Sequence, residues 1–138
     1  FTLAAKRLGA AFEAATGHRV VFSFGSTGQL FTQIIHGAPF DALLAADTER
    51  PERAERERLG VPGTRFTYAI GGLVLWSVDA DLIDGTPSVL SYKALRHVAT
   101  ANPVTAPYGA AAIDTMTGLG VLKDLEPRLV AGKSVSQT

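Results

Sequence analysis

The stretch "FSFGSTGQLFTQ", Phe22 to Gln33, decides how the chain is organised. An apolar run ends at Phe24, "GSTG" interrupts it, and "QLFTQIIHG" then sets Leu30, Phe31, Ile34 and Ile35 on one helical face. That order reads as a strand turning into a helix. A helix opening near Thr27 or Gly28 aims its first free N–H groups, and the positive end of its dipole, at the mouth of the loop. The hydroxyls of Ser26 and Thr27 add donors, and the glycines allow close approach to the backbone. An ordinary helix cap uses the same geometry, so these residues leave capping and anion binding both open.

Upstream, "FTLAAKRLGAAFEAATG" reads as a helix with Leu3, Leu8, Ala11 and Phe12 on one face and Gly17 as its left-handed stop. "RVVFSF", Arg19 to Phe24, has the β-branched and aromatic content of a buried strand. Downstream, "FDALLAA" (Phe40 to Ala46) predicts a short strand, and "DTERPERAERERLG" a solvated helix with Asp47 as an acidic cap and Glu/Arg pairs along it. "TRFTYAIGGLVLWSV", from Thr64, is the longest strand-like segment; Gly71 and Gly72 inside it predict a bend or a close backbone approach. "HVATANP" reads as a strand, "APYGAAAIDTMTGLG" as a turn and helix, and "RLVAG" as a short strand. Strands alternating with helices predict an α/β fold with mostly parallel sheets. In such folds ligands sit beyond the carboxyl ends of the strands, which here means "GSTG", "NPVTAPYG" after the 97–101 strand and "GKSVSQ" after the 128–131 strand.

The bulk properties bound the alternatives. A chain of 138 residues, 46% hydrophobic, has room for one domain or two small lobes sharing strands. Thirteen basic residues balance thirteen acidic ones without a long block of either sign, so no basic face for nucleic acid is visible. The most apolar run, "YAIGGLVLW", is about half of the roughly 18 residues a spanning helix needs. The lack of cysteine excludes disulfides and thiolate metal sites. No charged-then-apolar leader opens the chain, which begins already inside a helical pattern and stops at a turn before another helix, so the stretch is expected to be a fragment without its signal peptide.

Enzyme chemistry finds little support. His18, His36 and His97 lie in separate segments, none paired at i, i+4 with a second ligand. Gly25-Ser26-Thr27-Gly28 is one residue short of a hydrolase elbow, Gln29 stands where a P-loop needs lysine, and of a dinucleotide fingerprint G-x-G-x-x-G the loop has only G-x-x-G. Asp41 and Asp47 fit strand-start and helix-cap roles. Tyr108, at a helix start behind two stiffening prolines, either packs against the next helix or presents donors to a cleft.

"GSTGQLFTQIIHGAPFDALLAAD", "PGTRFTYAIGGLVLWS" and "NPVTAPYG" resemble, in order and spacing, the molybdate-binding periplasmic proteins of molybdate ABC transporters, two-lobed class II solute-binding proteins. The most specific parts are Gly37 to Asp47 and Arg65 to Ser77, and the likeness runs from Phe1 to about Gln137. The resemblance implies a type II periplasmic binding protein fold, incomplete at both ends. Residues 1–70 would form a first lobe lacking its N-terminal strand, and 71–138 a second lobe lacking its C-terminal part, with a crossover strand near 65–77. It further implies no catalysis and no cofactor; the ligand is molybdate or tungstate, held by neutral hydroxyl and N–H donors with no metal coordination by side chains. Carried over residue by residue, those donors fall on Thr27 with Ser26 beside it, on Tyr108 and on the backbone of Val135. Thr27 departs from the serine common there by one methyl group. The implied partners are the oxyanion and the membrane permease, with no nucleic acid, the full-length protein being a periplasmic monomer. Another oxyanion such as sulfate or phosphate, or a regulatory module or enzyme on the same fold, is the alternative. Open strand edges in such a fragment predict poor folding or self-association.

Overall fold

The computed structural model describes residues 1–92, 95–135 and 138. Helix α1, Thr2–Thr16, ends as its sequence predicts: Gly17 sits at φ 73° and its N–H closes onto the Glu13 carbonyl. Its buried side is not the expected one. Ala5 and Gly9 are buried, Gly9 against the Phe22 ring, whereas Leu3, Leu8 and Phe12 face outward. Helix α2, Thr27–Ile35, buries Phe31 and leaves Ile35 exposed. Helix α3, Glu49–Arg56, buries no residue along its length, as expected of a solvated helix, and Arg53 stacks over the Phe31 ring at 5.3 Å.

Three predicted strands are corrected. Residues 19–24, 40–46 and 64–78, the last containing the segment near 65–77 expected to cross between lobes, form no ladder among the described residues. A strand is stable only when a neighbour takes up its N–H and C=O groups, whatever its side-chain propensity. Their apolar side chains stand outward accordingly, Ile70 at 94% exposure and Trp76 at 76%.

The second half assembles around its own core. Strand β1, Val98–Ala101, leads to helix α4, Pro107–Gly118; the short helix α5, Leu122–Leu125, then leads to strand β2, Leu129–Gly132. β1 and β2 pair in parallel, from Val98 opposite Leu129 to Ala101 opposite Gly132. Met116 on α4 and Leu125 on α5 pack with Val89 and Leu90 of a 3₁₀ turn at Pro87–Ser91, and Ile113, Val98 and Leu129 close the edges. Arg128 ties this unit together, its guanidinium donating to the carbonyls of Tyr92, Leu95 and Asp124. Both strands end at one edge of the sheet, where the Asn102 N–H extends the ladder to the Gly132 carbonyl at 2.8 Å. None of the helices among the described residues is long and apolar enough to cross a membrane.

Candidate functional site

The opening loop divides its labour between two adjacent hydroxyls. Ser26 is the cap of α2: its Oγ accepts the Gln29 N–H at 3.4 Å, and Gln29 Oε1 accepts the Ser26 N–H at 3.1 Å. This reciprocal capping box was written in the sequence as Ser-x-x-Gln. It spends the backbone N–H of Ser26 on the helix. Thr27, the first helical residue, is buried, and its Oγ1 accepts the Ala46 N–H at 3.0 Å. A hydroxyl carries one donor and two acceptor sites, so that bond leaves the Thr27 proton able to donate. The Gly28 N–H is taken by the Thr105 carbonyl at 3.0 Å. The amide of Thr27 belongs to the first turn, which a helix leaves without internal acceptors, and no other acceptor meets it among the described residues.

Tyr108 lies at the matching position of α4, one residue after Pro107, so its amide likewise faces out of the helix start. The next residue, Gly109, is buried; a Cβ there would lie 2.2 Å from the Ala101 carbonyl oxygen, so only glycine lets α4 begin this close to the end of β1. The Tyr108 side chain reaches back to Gly71, where an added Cβ would come within 1.9 Å of the hydroxyl. The close approach expected of Gly71 is therefore an approach by this tyrosine. Tyr108 lines a groove of about 840 Å³ together with Ala46, Asp47, Tyr68 and Gly71. Tyr68 donates to the Ala45 carbonyl at 3.0 Å. Partial burial, and then the neighbouring Tyr108, push the Tyr68 phenol above its ordinary pKa.

Three of the loops marked in the sequence come together. The Gly28 to Thr105 bond joins "GSTG" to "NPVTAPYG", and the Asn102 to Gly132 bond joins the latter to the end of β2. Val135 follows three residues beyond Gly132 in an exposed turn; Ser136 and Gln137, the rest of the predicted "KSVSQ" loop, lie outside the described residues. Asp47 fulfils its cap role by accepting the Arg50 N–H at 3.0 Å, and it also pairs with the Arg50 guanidinium. Asp41 lines the groove. The histidines stand apart from this cluster, His36 bonding the Thr32 carbonyl on its own helix. Tyr68, Arg50 and Thr105 were missed in the sequence; Gln29 was legible only through the capping box. Among the described residues no group of three or more histidine, cysteine or acidic side chains could hold a metal ion. A pair of helix starts with outward amides, a hydroxyl proton and a phenol suits an acceptor-rich anion.

The model of the bacterial extracellular solute-binding protein family matches residues 1–138. The chain belongs to this family. It is 54% identical over 137 residues to the molybdate-binding protein ModA of Rhodobacter capsulatus, covering 99% of this chain and 54% of the relative. Against the molybdate-binding protein ModA of Azotobacter vinelandii the identity is 47%, with the same coverage. The chain thus spans about half the length of the curated relatives it matches. Its fold matches the solved structure of the Azotobacter vinelandii periplasmic molybdate-binding protein with a TM-score of 0.91 at 43% identity, over 96% of this chain and 58% of that one. The architecture is that of an α/β periplasmic binding protein. The shared backbone path extends over nearly the whole chain, including most of the segments that form no ladder here.

Proposed function

We propose that this family member is an extracytoplasmic binding protein that captures molybdate or tungstate between two lobes, residues 1–70 and 71–138, and delivers it to the permease of an ABC transporter. The observation that carries the reading is the meeting of two helix starts, at Thr27 and Tyr108, across the Gly28 to Thr105 bond. In this reading the Thr27 hydroxyl and amide grip one side of the oxyanion, and Tyr108 and the Val135 backbone grip the other. Ser26 beside Thr27 holds the helix start, and its hydroxyl, which accepts the Gln29 N–H, keeps a proton that it can also offer to the ion. A molybdate ion at neutral pH has no proton to give, so a site made of donors suits it; phosphate keeps a proton that calls for an acceptor. The protein performs no catalysis, uses no cofactor and no nucleic acid, and works as a periplasmic monomer.

The test is calorimetric titration of the full chain with molybdate, tungstate, sulfate and phosphate. Molybdate and tungstate are expected to bind far more tightly than the other two. Tight sulfate binding without molybdate binding would transfer the assignment to another oxyanion carrier.

A further inference from the structure

One cluster near the cleft is left unused by the binding reading. Arg50 lies on α3, and its guanidinium is gripped by the Asp47 carboxylate while its Nη2 reaches across to the Val104 carbonyl at 3.2 Å. Val104 neighbours Thr105, whose carbonyl accepts the Gly28 N–H from the start of α2. Two consecutive carbonyls of the loop that leads to Tyr108 are thus held by two donors from the other side of the cleft. The fit is close: a Cβ added at Gly28 would lie 2.9 Å from the Thr105 oxygen and 3.3 Å from Arg50 Nη2. Arg50 is partly shielded, with its side chain 24% exposed and that of Asp47 17% exposed.

We propose that Arg50, oriented by Asp47, is a positioning residue that straps the 104–105 loop to the start of α2 and thereby sets how long the closed cleft retains its oxyanion. This rests on the oxyanion-binding reading above. A bond present only when the two sides meet favours the closed form, and apparent affinity scales with the fraction of molecules that are closed. The carboxylate of Asp47 also cancels the charge of Arg50 locally, so the strap acts through geometry rather than by attracting the anion from a distance. Because the strap touches the protein and not the ion, it slows release of molybdate and tungstate by the same factor. A side chain contacting the ligand would discriminate between them.

The experiment is a chase of labelled molybdate, and separately tungstate, from the full chain, alongside amide hydrogen exchange at Gly28 in the ligand-free protein. Arg50→Gln is expected to raise both release rates about fivefold, the worth of a partly exposed charge-assisted bond, and to speed exchange at Gly28. Arg50→Lys should recover part of the loss, since it keeps the charge without the planar fork. Gly28→Ala should raise both release rates by a different route, through its contact with the Thr105 carbonyl. Unchanged release in Arg50→Gln and Gly28→Ala, or unchanged Gly28 exchange in Arg50→Gln, would overturn the strap. Should the unsubstituted chain hold neither oxyanion while Arg50→Gln still accelerates Gly28 exchange, the strap stands and the choice of ligand falls.

Discussion

Residues 87–92 with 95–135, and residues 18–78, are held together in different ways. The former close around Val89, Leu90, Met116 and Leu125, with Leu125 and Val89 wholly out of solvent. The latter put much of their apolar surface outside, and their site residues are fixed chiefly by polar bonds: Ser26 with Gln29, Thr27 with Ala46, Asp47 with Arg50, Tyr68 with Ala45. The contrast bears on function. One region ends in a sheet edge over a closed core; the other is a set of loops whose shape depends on individual hydrogen bonds.

The sharpest break of that contrast is a pair of truncations. Leu125→Ala should cost about 2–5 kcal/mol in urea unfolding, because it empties a closed core, whereas Ile70→Ala, at 94% exposure, should cost almost nothing in the same 138-residue chain. Equal losses would mean that the segment around Ile70 is packed in solution. Next comes Thr27→Val, which removes the hydroxyl and keeps the shape. It orphans the Ala46 N–H and removes a donor from the ligand, so molybdate affinity should fall by about 1.5–3 kcal/mol in a titration, with Thr27→Ser close to the parent. Unaltered affinity in the valine variant would detach Thr27 from the site.

Smaller effects sharpen the same division. Ser26→Ala removes the cap, so thermal unfolding should lose about 1 kcal/mol, and ligand affinity should weaken less than in Thr27→Val. A larger affinity loss from Ser26→Ala than from Thr27→Val would reverse the two roles. The least effect is in alkali. The raised Tyr68 pKa means that the folded protein keeps the phenol proton longer than the unfolded chain; its contribution is complete below about pH 10 and is lost as pH rises through the folded value. Tyr68→Phe should flatten that alkaline decline in a stability-against-pH series, and an unchanged slope would remove Tyr68 from it.

What could be read in advance follows from the range of the forces involved. The Gly17 stop, the Asp47 cap, the solvated α3 and the strands β1 and β2 are set by residues a few positions apart, and all appear as predicted. The Ser26 capping box was equally local and simply went unread. The segments at 19–24, 40–46 and 64–78 have strand composition, but a ladder is a property of two segments, and composition describes only one. Leu3, Leu8 and Phe12 failed in the same way: periodicity identifies an apolar face without saying what covers it. The contacts that join the cleft are longer still in sequence, Arg50 to Val104 spanning 54 positions, and no spacing rule reaches that far. Thr27 and Tyr108 stand out as residues at helix starts, and the family resemblance favours their ligand role over capping and packing; the Thr27 bond to Ala46 and the packing of the Tyr108 hydroxyl against Gly71 became visible only in three dimensions.

The central claim is that Thr27, Tyr108 and Val135 face one oxyanion, and an amide-resolved NMR titration of the full chain with molybdate tests it most directly. The account predicts that the N–H signals of these three residues shift together and saturate at one equivalent of ligand, with little change at the core residues Val89 and Leu125. Saturable shifts elsewhere, with these three amides unmoved, would contradict it.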